Sequence, residues 1–230
     1  MPAIHFLTAM TRCSAFFALV LAAPPLHANE NSCGSLENAY GPFDYRVHKG
    51  KPEINIVDKY HFTPLVENLI KPMFQHFSAD FDYTLRAVPN HHRALISMLR
   101  WTEKQKNPQP PGAQYSVDCY FDRALRFAPD DMIVRMVFAE HLIHTNRKPL
   151  ALEQLDYVAS KADDNAFTHF NVGMLYVQLP DYVKALREAH IAQALGMKKP
   201  ELRNKLTAAG KWVDPADPAA PVPEPAASKP

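Results

Sequence analysis

Two histidines stand side by side behind a proline in AVPNHHRAL (residues 87–95), and two more, His141 and His144, lie one helical turn apart in EHLIH. Imidazoles are the commonest builders of divalent metal sites and general bases, because each offers a neutral nitrogen near physiological pH. His141 and His144 could share an ion beside Glu140, but a third and a fourth ligand would have to come from another element, and no spacing in the chain fixes them. Glu67, Asp80 and Asp82 are a further set suited to acid/base work, and their positions near helix starts favour a role as partners of the helix dipole. The chain carries no CxxCH, Walker loop, HExxH, GxSxG or zinc-type cysteine spacing. Neither a catalytic residue nor a metal or cofactor site is therefore predicted. A histidine-based carrier of a metal or small ligand remains as the alternative to a binding scaffold. His91 and His92 read as a turn between helical segments, with Asn90 as the cap and the imidazoles capping or bonding locally.

The elements that would position these groups follow a period. Residues 130–163 laid over 164–197 bring Ala151-Leu152 onto Ala185-Leu186, Ala139 onto Gly173, Leu142 onto Tyr176 and Leu155 onto Ala189, all at a spacing of 34 residues. Such a period belongs to stacked helix-turn-helix units. Each unit is locally consistent. Asp130 and Asp131 offer a cap before Ile133, Met136, Val137 and Ile143 at helical spacing, and Asp164 and Asn165 do so for Phe167, Phe170, Met174 and Val177. TNRKP (145–149) breaks the first helix and leaves Pro149 in the opening turn of the next, while LPD (179–181) breaks the following unit.

NVGMLYVQLPDYVKAL (171–186) followed by Ala192 resembles the tetratricopeptide repeat family. Small Gly173 stands where two helices would cross, Tyr176 where a gap must be filled, Tyr182 at the turn, and Ala185 and Ala192 where the second helix would meet the first. The resemblance implies an all-α solenoid of helical hairpins, with repeats at 132–165 and 166–199. A unit with a long internal loop would occupy 92–131, a degenerate leading pair 63–91, and a capping helix 200–212, onto which Trp212 could fold. An irregular arm would cover 29–62, with INIVD as a short extended segment and GPFDY as a turn. Residues 213–230 form a Pro/Ala-rich tail expected to be disordered. The resemblance also implies a concave groove for a protein or peptide, lined by Ile133, Met136, Glu140 and His144 from one unit and by Phe167, Phe170, Asn171, Met174 and Gln178 from the next. Its methionine and phenylalanine walls would suit an amphipathic or extended apolar segment.

Arg12 followed by CSAFFALVLAA (13–23) and a small residue at Ala28 reads as a signal peptide over 1–28, because the apolar run is short of the roughly 20 residues that span a bilayer. Its removal takes away Arg12 and no acidic residue, so the formal charge of +1 falls to zero. A neutral chain without a basic stripe argues against nucleic acid and anionic membranes as partners. The expected place is the periplasm, or outside the cell, and no membrane insertion is expected after cleavage. In an oxidising compartment Cys33 and Cys119 have one intramolecular pairing open to them, with two unpaired thiols as the alternative. Together these readings describe an exported, non-enzymatic adaptor that helps to assemble or localise an envelope complex.

Overall fold

The computed structural model describes residues 33–215, so the expected leader and all but the first residues of the tail lie outside it. Among the described residues the protein is all-α, with eleven helices and no strand.

The N-terminal segment is more regular than its sequence suggests. α1 (Tyr45–His48) and α2 (Pro52–His61) fall within the stretch expected to be irregular, and INIVD lies inside α2 rather than in an extended segment. Pro52 and Glu53 open α2, where a fixed φ and an acidic first turn both favour a helix start. The alternation of isoleucine with asparagine mimics a strand period, yet the buried pair is Ile54 and Val57, three residues apart, while Ile56 is exposed. Both buried side chains pack with Tyr45, Ala87 and Val88, so tertiary burial overrides the β-propensity of the branched residues.

α3 (Pro64–Glu67) is one turn, capped as its sequence predicts by Thr63, whose Oγ1 accepts from the Val66 N–H at 3.4 Å. α4 (Phe77–Ala87) packs on α2 and on α5 (His92–Gln105). α2 is the helix packed on α4 here, while the first of the two segments expected within 63–91 is a single turn that ends at Asn68, just before Leu69 takes a positive φ of 56°. α6 (Val117–Phe127) follows α5 after a loop rich in proline.

Two tight helical hairpins follow: α7 (Met132–His144) with α8 (Lys148–Lys161), and α9 (Ala166–Gln178) with α10 (Tyr182–Ala194). Their starts are capped by side chains. Asp131 accepts from the amides of Ile133 and Val134, Asn165 from Thr168 and Asp181 from Lys184, and each such cap contributes about 1 kcal/mol. Ala139, Leu142, Ala151, Leu155 and Val158 are buried in the first hairpin, as are Gly173, Tyr176, Ala185, Ala189 and Ala192 in the second. The positions matched at a spacing of 34 residues are therefore the ones that hold the helices together.

Two larger clusters divide the core. Phe81, Leu95, Met98, Phe121 and Val134 belong to one, and Leu142, Leu155, Tyr176 and Leu202 to the other. α7 contributes to both, Val134 and Val137 to the first, Ala139 and Leu142 to the second, so one helix couples them. α11 (Glu201–Ala208) seats Leu202 and Leu206 in the second cluster. A Cβ at Gly173 would stand 2.5 Å from Leu202 Cδ2 and 3.3 Å from Glu188 Cβ, so this crossing admits only glycine without rearrangement.

Cys33 and Cys119 are joined by a disulfide, with their Cα atoms 5.0 Å apart. The bridge fastens the segment before α1 to α6, and arginines on α6 reinforce it. Nη1 of the buried Arg123 donates to the carbonyls of Cys33 (3.1 Å) and Ser35 (2.5 Å), and Arg126 donates to that of Gly34 (3.0 Å).

Candidate functional site

The paired histidines are structural: His91 makes the local capping bond expected of it, and both imidazoles also bond to carboxylates far along the chain. His91, not Asn90, caps α5: its Nδ1 accepts from the Ala94 N–H at 3.1 Å, which leaves Nε2 as the donor to Asp58 Oδ1 at 3.1 Å. Burial lowers the His91 imidazole below its ordinary value, against the pull of Asp58. His92 Nε2 lies 2.8 Å from Asp131 Oδ2. The Asn90 amide is spent elsewhere: it accepts from the Tyr45 N–H and donates to Asp44 and Asp131. One polar knot thereby ties the starts of α1, α5 and α7, which a local reading of Pro89-Asn90-His91 could not show.

The histidines of EHLIH diverge. His141 Nε2 lies 2.8 Å from Asp118 Oδ1, and Arg147 donates to both oxygens of the same carboxylate. The hydrogen bond from His141, opposed by burial and aided by Arg147, holds Asp118 well below the usual carboxylate range. His144 faces Glu103 instead, at 3.3 Å. Among the described residues no group of three His, Cys, Asp or Glu side chains is placed to hold a metal ion.

The three carboxylates considered for acid/base work are also separated. Glu67 is forked to Arg93. Asp80 is fully buried and accepts from the Met73 and Phe74 amides, so it fastens the loop before α4. Asp82 accepts from the Tyr120 hydroxyl at 2.5 Å and is bridged by Arg86 at 2.8 Å. Asp80 does sit in the first turn of α4, as expected of a dipole partner, but its main bonds are to the loop.

Most residues of the expected groove do converge. Ile133, Met136 and Glu140 of α7 and Phe167, Asn171, Met174 and Gln178 of α9 line one open cavity of about 340 Å³, with Val137 and Leu175 as its floor. The two stripes follow helical periodicity, so each helix turns one continuous face to the cavity. Ile133 is 45% and Phe167 56% exposed, large apolar side chains left to solvent while their neighbours Val134 and Phe170 are buried. Among the described residues none of Glu140, Asn171 and Gln178 makes a side-chain hydrogen bond or ion pair, so three polar groups point to the cavity unengaged. The floor residues Val137 and Leu175 were missed because their spacing fits the core equally well.

Phe170 and His144 do not belong with the others. Phe170 is 7% exposed, packs in the second core cluster and lines a different cavity beside α10 and α11. Phe167 and Phe170 are three residues apart, close enough in angle to share a face, but Phe170 is buried on the side toward α10 and α11 while Phe167 stays exposed at the groove. His144 lies beyond the end of the groove, against Glu103.

No family model matches the chain, and no curated protein or solved structure is significantly similar to it, so its function must be argued from these residues and their geometry.

Proposed function

We propose that the protein is a non-enzymatic, exported adaptor of the tetratricopeptide kind, whose α7/α9 groove receives an amphipathic or extended apolar segment of a partner protein. The observation that carries this reading is the pair of exposed anchors, Ile133 and Phe167, set on facing stripes across a concave, methionine-walled surface. Apolar anchors at helical spacing are what helix-in-groove recognition uses, and flexible methionines let such a wall adapt to its ligand. The unengaged amides of Asn171 and Gln178 can pair with the backbone of an extended segment and fix its direction. The repeat reading is supported by the burial of the small residues at a spacing of 34 residues and by the consecutive hairpins they join. Export, and with it a role in assembling or localising an envelope complex, rests on the leader-like sequence of residues 1–28.

The test compares wild type with Ile133→Asp/Phe167→Asp in affinity capture of envelope proteins, with thermal melts showing that both chains fold alike. Both positions are exposed, so the substitutions should leave the core intact. The expected result is loss of a partner that wild type retains under stringent washing, and equal recovery of every protein by both chains would count against groove binding.

A further inference from the structure

We propose that a second cavity, at the C-terminal end of the array, is a binding site for a small amphipathic carboxylate, a molecule with an anionic head on an apolar body. It adjoins the α7/α9 groove through Lys199, which stands over Phe167, but does not depend on that reading, and it holds about 480 Å³, within the range of small-molecule sites. α10 forms one wall through Ala189, Ala192 and Gln193, and the turn and start of α11 form the other. Phe170, Leu202 and Trp212 make the apolar lining.

The charge of the lining selects the ligand. Lys198, Lys199 and Arg203 line the cavity, and no acidic residue does. Lys199 Nζ stands 5.4 Å from the ring centre of Phe167 and 5.7 Å from that of Phe170, so the ammonium is held over aromatic faces rather than neutralised by a carboxylate. Arg203 lies over the Trp212 ring at 4.9 Å, and its only ion pair among the described residues is a 3.3 Å contact with the exposed Asp214. α11 begins at the same place without a side-chain cap, which adds unpaired amides of the same sign to the cationic side. A neutral apolar ligand would leave the ammonium groups of Lys198 and Lys199 beside it without an anionic partner, and a small hydrophilic anion would leave Phe170 and Trp212 in water. A molecule with both parts satisfies both walls.

Decanoate is the probe, measured by calorimetry and by Trp212 emission below its micelle concentration, with 1-decanol and acetate as controls. Saturable one-to-one binding of decanoate is expected, with 1-decanol and acetate weaker by about tenfold or more, the factor of a charge-assisted hydrogen bond. Lys199→Gln/Arg203→Gln should weaken decanoate by a similar factor while melting like wild type, since both side chains are exposed. Absence of saturable decanoate binding, or undiminished binding by that variant, would overturn the proposal. So would tenfold tighter binding by Asp217→Asn/Glu224→Gln in the full chain, because the cavity would then belong to the protein's own acidic tail.

Discussion

Replacing both bridged cysteines with serine should cost the protein about 4–5 kcal/mol, chiefly through its unfolded state. Cys33 and Cys119 are 86 residues apart. On the chain-entropy description a closed loop of that length lowers the entropy of the unfolded ensemble by about 15 cal/mol/K, or about 4.6 kcal/mol at 25 °C. The native state keeps its other ties in Cys33→Ser/Cys119→Ser, because Arg123 and Arg126 still donate to the carbonyls at positions 33–35. The unfolding entropy of a domain of this size, about 0.4 kcal/mol/K, converts the loss into a drop in Tm of about 10 °C. Urea unfolding of the double variant beside wild type checks the origin as well as the size. The midpoint should fall and the slope m should rise, since an uncrosslinked unfolded chain exposes more surface. A loss below about 1.5 kcal/mol with an unchanged m would refute the account and place the stability of this end in the arginine contacts instead.

Glycine at position 41 should be far less replaceable than at position 50. Both have positive φ, but a Cβ on Gly41 would sit 2.2 Å from the Ala87 carbonyl oxygen, whereas one on Gly50 meets nothing within 4 Å. Gly41→Ala should therefore lose about 2–4 kcal/mol through strain and the displaced Phe43 N–H to Ala87 bond, against about 1 kcal/mol for Gly50→Ala, both read by urea melts. Stability should also fall on mild acidification. His91 is lowered by burial, and His61 by burial and by Arg86, so in each case the unfolded chain takes up the proton first. Their contribution is complete above the ordinary imidazole value of about 6.5 and is lost as pH falls from there through the lower folded values. His91→Asn, which can still cap α5 but does not titrate, should flatten the dependence of the urea midpoint between pH 8 and 5, and an unchanged slope would remove His91 from the explanation.

The second half of the chain was the more legible because its information is local and periodic. Asp131, Asn165 and Asp181 announce helix starts, and Ala139, Gly173, Ala185 and Ala192 report close helix approach through their size alone. The first half depends on distant partners. Ile54 and Val57 become helical because Ala87 and Val88 cover them, and Asn90 gives up capping for Tyr45, Asp44 and Asp131, none of which lies beside it in sequence. Phe167 lies at the cavity between α7 and α9, as its helical spacing suggested, whereas spacing alone does not tell that Phe170 on the same helix is buried toward α10 and α11. The cationic cavity had a signal in MKKPELR, but charge on a polar helix reads as a solvated face until Trp212 and Phe170 are seen beside it.

The contact of Leu202 with bare Gly173 also bears on how such a chain can grow in evolution. An extra hairpin spliced in after α10 would compete with α11 for the surface that Leu202 and Leu206 already cover, and the displaced leucines would be left facing water.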